Sequence, residues 1–362
     1  MNRETLLEIL ALARWTPSGD NTQPWRFEIV DDFQVAIHGH DTREHVVYDF
    51  QGHASHLAHG ALLETLRLAA TRYGLATEWA IKPDQPDTAP VYLVRFHPAG
   101  LTEDPLVPYI TERAVERRAM PTTPLKDAHK EALIAAVGSS FRLQFFESLA
   151  DRLAVARLLW NNAHLRLTCP EAYPVHRDVI EWNARYSKDR IPDQALGVDA
   201  LTTRLMRWVM QSWKRVDFFN RHLGGTYLPR LQMDLIPGVA CAAHLLLKPK
   251  RKPVHLEDYV RTGMAIQHLW LTASRLGLHL QPEMTPVIFR WYSQSGTDIS
   301  ATPAIDEGAR KLAGQFDRLA QAAPDDAFAF LCRVGYCPPP AARSLRRDIN
   351  SLDRGQSLML DR

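Results

Sequence analysis

The stretch TPSGDNTQPW, residues 16–25, interrupts a helical pattern and hands over to an alternating, β-rich run. Pro17 fixes φ, Gly19 permits φ > 0, and Ser18, Asp20 and Asn21 bond readily to nearby backbone, so the residue types predict a compact turn with outward amides. Such a turn can edge a flat heterocycle with donors and acceptors and offer it Pro and Trp faces. The same residues also make an ordinary helix-to-strand connection. A second segment, ITERAVERRAMPTTPL at 110–125, carries Arg113, Arg117 and Arg118. Their spacing can put two guanidinium groups on one helical face, either as a fork for a phosphate monoester or as a solvated basic stripe. His53, His56 and His59 recur every third residue. A helical i, i+3 pair can share a metal, but no carboxylate or cysteine completes the set, so no metal is expected. No Walker sequence, Gly-rich phosphate loop or GxSxG motif is present.

The elements that must position these groups repeat within the chain. GALLETLRLAATRYGL (60–75) aligns without gaps on GMAIQHLWLTASRLGL (263–278), matching Gly60 to Gly263 and Gly74-Leu75 to Gly277-Leu278. Both read as helices opened and closed by Gly, apolar around most of their circumference and hence central. PVYLVRFHP (90–98) resembles FAFLCRVGY (328–336), and WRFEIV (25–30) resembles FRLQFF (141–146), each of the latter pair preceded by a helix. The chain therefore reads as two copies of a helix, strand, central helix, strand unit, residues 1–105 and 106–350, with a tail at 351–362. The TPSGDNTQPW loop occurs in copy one alone and the Arg-rich segment introduces copy two alone, which suggests one composite site between them.

PSGDNTQPW closely resembles the APSxxNxQPW signature of the nitroreductase family of FMN-dependent oxidoreductases, and ERAVERRAM resembles a degraded form of that family's Arg-Ser-x-Arg motif. The central helix and the closing RVGY strand match the family in kind and order. The sequence is similar to the double-length, single-chain branch that includes the Acg-like and MoeY-like proteins. The resemblance implies an α+β nitroreductase-like fold whose two halves form an intramolecular pseudo-dimer around one FMN, the family being typically homodimeric. Pro17, Ser18, Gly19, Asn21 and Gln23 would lie along the flavin ring, with Pro24 and Trp25 behind the loop. Arg113 and Arg117 would hold the phosphate, joined by Arg343 or, as a lesser choice, Arg346 or Arg347. Pro282, Glu283 and Met284 follow the second central helix where the family presents a backbone N–H near the flavin N5. Ala114 and Val115 stand where the family uses Ser or Thr, which removes one phosphate donor. The implied function is two-electron transfer between NAD(P)H and a small organic acceptor, with the chemistry in the flavin and no separate acid, base or nucleophile. The alternative is a non-catalytic flavin-binding or flavin-sequestering protein of Acg type.

Copy two carries about 87 residues more than copy one between its first strand and its central helix, since Val30 to Gly60 spans 30 residues and Phe146 to Gly263 spans 117. The insertion includes LTTRLMRWVMQSWKRVDFFNRHL (201–223), an amphipathic pattern with Leu205, Trp208, Val209, Trp213, Val216 and Phe219 opposite Arg204, Arg207, Lys214 and Arg215. Read first, 185–235 is a cap over a groove of its own protein; contact with a partner protein or a membrane surface are the other readings. The composition, 46% apolar and 23% charged over 362 residues, is that of a globular protein. With 43 Lys+Arg against 41 Asp+Glu the net charge is +2, so no basic field points to nucleic acid or to a membrane as the main partner. Four scattered cysteines without a CxxC pair read as reduced thiols, and the N-terminus runs straight into a helix; both lead to the expectation of a cytoplasmic protein. A monomer acting as its own dimer is expected, with further dimerisation open.

Overall fold

The computed structural model describes residues 3–354; positions 355–362 of the expected tail lie outside the described residues. Helix α1 (Arg3–Ala13) precedes strands β1 (Trp25–Asp31) and β2 (Gln34–Gly39), helix α2 (His53–Thr71), and strands β3 (Leu75–Ile81) and β4 (Val91–Pro98). These strands form an antiparallel sheet of order β1-β2-β4-β3. Helix α3 (Asp127–Val137) then leads into β5 (Phe141–Phe146). A long insertion follows, with helices α4 (Leu149–Thr168), α5 (Ala172–Val179), α6 (Ala200–Val209) and α7 (Trp213–His222). The chain resumes with β6 (Ala243–Pro249), helix α8 (Leu256–Arg275), β7 (Leu278–Pro282), helices α9 (Thr285–Ser295) and α10 (Pro303–Leu319), and β8 (Phe330–Tyr336). The second sheet runs β5-β6-β8-β7, again antiparallel throughout. The two sheets thus share one strand order, and in each the central helix connects the second strand to the third.

Sequence reading found one strand before and one after each central helix; the structure has two of each. The added strands β2 and β6 differ in character, which hid their equivalence. QVAIHG is a mixed run, whereas AHLLLKP is buried at every position and lacks the period-2 alternation of a half-exposed strand.

The glycines aligned in the repeat do not open their helices. Gly60 and Gly263 lie inside α2 and α8, at the crossing of the two. A methyl group on Gly60 would collide with the Val260 carbonyl oxygen, and one on Gly263 with that of Leu57. Each obstacle lies three residues before the opposing glycine, so the contact is reciprocal. The absence of Cβ lets the backbones touch, and each helix then serves both cores. Val260 and Leu271 of α8 pack among Leu6, Phe27, Leu62 and Tyr92 around the first sheet, while Leu57 of α2 packs with Leu245, Leu269 and Val334 around the second. Leu106, Val107 and Ile110 also join the first core.

Two local expectations change. In the Arg-rich segment only Tyr109–Glu112 is helical. Arg113 leaves that turn with extended backbone, and Val115 pairs with Leu280 alongside the edge strand β7. The apolar run 201–223 is two helices, because Ser212 breaks it and caps α7 by accepting from the Arg215 N–H.

Candidate functional site

One cavity of about 650 Å3 opens between the two halves and the insertion. Pro17, Ser18, Gly19, Asp20 and Asn21 line it, as do Arg113, Ala114, Val115, Arg117, Pro282, Glu283, Met284, Arg343 and Arg346. Ten of the eleven residues singled out from sequence therefore line one cavity; Gln23 does not.

The loop's position is set from below. Thr16 donates its hydroxyl to Thr65 of α2, 2.8 Å away, and Gln267 of α8 donates to the same Thr65 oxygen at 2.9 Å, so both central helices anchor the residue before Pro17. The left-handed residues are Asp20, Asn21 and Gln23, with φ of 50°, 64° and 52°, while Gly19 needs no positive φ. The turn chemistry was correctly read and misassigned: short polar side chains tolerate this conformation through local bonds. Ser18 accepts from the Gln23 N–H at 2.9 Å, which closes the loop. Gln23 was expected along the ring, but it is fully buried and spends its amide inside the protein. Its Nε2 donates to the carbonyls of Asn21 and Lys188, and its Oε1 accepts from the Arg347 N–H at 2.9 Å. It braces the loop against the insertion and the C-terminal segment, so its role is positioning. Asn21 donates to the Arg190 carbonyl and leaves Oδ1 buried without a partner.

Arg113 and Arg346, both buried, and the half-buried Arg343 form a cationic group at the start of this loop. Arg113 donates to the Trp15 carbonyl at 2.9 Å and lies over the Trp270 ring at 4.5 Å. Arg346 donates to the Thr16 carbonyl at 2.8 Å, and Arg343 to the Thr111 carbonyl at 2.9 Å. All these acceptors are neutral. Burial, reinforced by the charges of Arg346 and Arg343, drives the Arg113 pKa well below its ordinary value. Burial, with Arg343 and Arg14, lowers that of Arg346 to about 9. No carboxylate contributes to any of the three. Nε of Arg113 and of Arg343 is buried with no hydrogen-bond partner among the described residues. Three guanidinium groups with neutral partners and spare donors have the chemistry to hold a multiply charged anion.

Arg117 reaches the same cavity by a different neighbourhood. Burial lowers its pKa to about 10, against the raising influence of Asp20, and it donates to the Ala195 carbonyl at 3.3 Å. Its own carbonyl accepts from Arg333, which is paired with Glu283 at 2.9 Å. Glu283 also accepts from His244 at 2.7 Å. Both His244 nitrogens face acceptors, Glu283 on one side and the Gly238 carbonyl on the other, so the ring is held as imidazolium. Burial alone would lower the His244 pKa; the Glu283 carboxylate lifts it to about 10. The expected free N–H at 282–284 narrows accordingly: proline has none and that of Glu283 bonds the Leu331 carbonyl at 2.7 Å, leaving Met284.

Sequence reasoning missed Tyr48, Asn162, Arg166, His176 and Asp234, which also line the cavity. Tyr48 and His176 bond at 2.7 Å, and Arg166 pairs with Asp234 at 3.2 Å. Burial holds His176 neutral and lifts Asp234 to about 6 in spite of Arg166. These residues come from four separate segments, and no spacing in the sequence joins them. From the insertion, Leu205, Val209, Val216 and Phe219 line the cavity, as the amphipathic pattern suggested, whereas Trp208 and Trp213 do not; Trp208 is 48% exposed. The three histidines of α2 serve structure: His59 bonds the Pro24 carbonyl at 2.7 Å, His56 that of Asp87, and His53 stacks on Tyr259.

The protein is thus of the α+β class, with two sheets of one strand order on crossed central helices and a mostly apolar cavity with a cationic group beside the crossing. No family model matches the chain. It is similar to an uncharacterised protein, MT1398, of Mycobacterium tuberculosis (strain CDC 1551 / Oshkosh), with 24% identity over 340 residues, 91% of this chain and 46% of the relative. The chain therefore spans about half of that relative's length. Among solved structures it is similar to a nitroreductase-like family protein from Bacillus cereus, at 11% identity over 70% of this chain and 96% of that one, with a TM-score of 0.35. It is also similar to the FMN-dependent nitroreductase NfnB of Mycobacterium smegmatis in complex with NADPH, at 13% identity over 68% and 95%, with a TM-score of 0.35.

Proposed function

We propose that the chain is an FMN-dependent oxidoreductase of nitroreductase type, with halves 1–105 and 106–350 acting as a pseudo-dimer, a cap at 185–235, and one FMN per chain. The observation that carries this reading is the group of buried Arg113 and Arg346 with half-buried Arg343, without a carboxylate, beside the PSGDN loop. A phosphate monoester supplies the missing charge and accepts from the spare Nε–H donors. Asn21 and the backbone of 17–21 would edge the heterocycle, with Met284 the remaining N–H donor of its segment. Bound FMN would supply two-electron transfer between NAD(P)H and a small organic acceptor. The chain's own contribution is to bind and orient it and, through the apolar face of α6 and α7, to exclude water. Arg117, which faces Asp20 and Arg333 rather than the trio, belongs on this reading to the ring end. The protein would work in the cytoplasm as a monomer.

The test compares FMN with riboflavin. Arg113→Ala, Arg343→Ala and Arg346→Ala are each expected to weaken FMN roughly tenfold or more, since a charge-assisted contact is worth about 1.5–3 kcal/mol. Riboflavin should be barely affected, and Arg117→Ala should weaken both. Equal losses of the two flavins in the trio variants would remove the phosphate from this position. Bleaching of the bound flavin by NADH or NADPH separates the oxidoreductase from a protein that merely holds flavin.

A further inference from the structure

Half of the exposed large apolar side chains of the described residues lie in one tenth of the chain. Leu201, Leu205, Trp208, Phe218, Leu223, Tyr227, Leu228, Leu231 and Ile236 account for nine of eighteen. Helix α7 has no buried residue, and α6 has only Thr202. A helix pair so poorly covered leaves its outer apolar face without a partner among the described residues.

Two exposed aromatics, Trp208 and Phe218, flank the cavity-lining Phe219: Trp208 meets it edge-on at 5.8 Å, and Phe218 at 6.2 Å. Leu205, Leu223 and Leu228 are at once exposed and part of the cavity wall, so they form its rim. The charge on the same two helices is predominantly positive. Residues 200–223 carry Arg204, Arg207, Lys214, Arg215 and Arg221 against Asp217 alone. Arg221 pairs with Asp217, and none of the other four is in an ion pair among the described residues.

We propose that the outer face of α6 and α7, with the turn at Tyr227–Arg230, docks on an anionic lipid bilayer and brings the mouth of the cavity to the membrane. Exposed Trp, Phe and Leu enter the headgroup boundary, and the unpaired cations meet anionic lipid; neither feature alone would select this partner. Solvent-facing apolar residues that also rim a cavity give a bilayer-dissolved compound a path inward that avoids water. The proposal stands apart from the flavin reading, because it rests on the outside of the cap.

The test is sedimentation of the full chain with vesicles of phosphatidylcholine alone or mixed with phosphatidylglycerol. Binding is expected to the mixed vesicles at low salt, roughly tenfold or more stronger than to neutral ones and weakened by salt. The triple variant R204Q/R207Q/K214Q should lose that preference, and W208A/F218A should lose most binding. Both should melt like the parent, since these side chains are exposed. Failure to bind the mixed vesicles would overturn the proposal, as would binding unaltered in both variants. Light scattering that shows a dimer dispersed by Trp208→Asp would overturn it too, since the face would then belong to a second copy.

Discussion

Gly60→Ala is expected to destabilise the fold strongly, and Gly263→Ala the same. At each position the added carbon meets a carbonyl oxygen of the opposing helix, so no side chain can rotate away to make room. The relief available is to part α2 from α8. That separation would open both cores, since each helix contributes to the packing around the other's sheet. It would also release Thr65 and Gln267, which together hold Thr16 and so the loop at 17–21. Overpacking typically costs about 1–3 kcal/mol and occasionally more. With backbone on both sides, a loss of roughly 3 kcal/mol or above is expected. Denaturant titration of each variant measures it, and a change within about 0.5 kcal/mol, the range of an ordinary surface substitution, would show that the helices do not touch as described.

Glu283→Gln is the second large effect. The substitution keeps the shape but leaves His244 and Arg333 buried together without their shared carboxylate. Removing one member of a buried charge cluster costs roughly 3–5 kcal/mol, because the remaining charges stay desolvated. The pH dependence has a defined sign. His244 is raised from 6.5 to about 10, so its stabilising contribution is complete below 6.5 and is lost as pH rises through 10. Glu283 is lowered from 4.5 by His244 and Arg333, which outweigh its burial; its contribution is present above 4.5 and is lost as pH falls through the depressed value. The parent is therefore expected to show a stability plateau between the two limits. In the variant the alkaline loss should move to lower pH, because the imidazolium no longer has its carboxylate. Thermal melts across pH check this, and an unchanged alkaline limb would contradict the imidazolium assignment. Arg333 also holds the Arg117 carbonyl, so the variant should loosen that edge of the cavity.

What could be read from the sequence was the part carried by local chemistry and by repetition. The loop announced itself through Pro17, Ser18 and Asn21, and the central helices through matched glycines, although their role at a crossing point required knowing what lay opposite. The strand order required β2 and β6, whose patterns differ because β2 keeps partly covered polar residues at Gln34 and His38 whereas β6 is buried throughout. Arg346 was ranked below Arg343, since spacing cannot distinguish a guanidinium turned to the Thr16 carbonyl from one in solvent. Trp208 was assigned inward from the apolar stripe, yet α6 turns Thr202, Leu205, Met206 and Val209 to the cavity and leaves Trp208 outside, with Arg215 4.6 Å from its ring. The cavity residues Tyr48, Asn162, Arg166, His176 and Asp234 gave no sequence signal, because they assemble from distant segments.

The central claim is that two unlike halves make one flavin mononucleotide site. Titration of the purified chain with FMN, followed by flavin fluorescence to its end point, tests it most directly. The account predicts saturation at one FMN per chain, with riboflavin bound more weakly by roughly tenfold or more for want of the phosphate. Saturation at two per chain, or equal affinity for FMN and riboflavin, would contradict it.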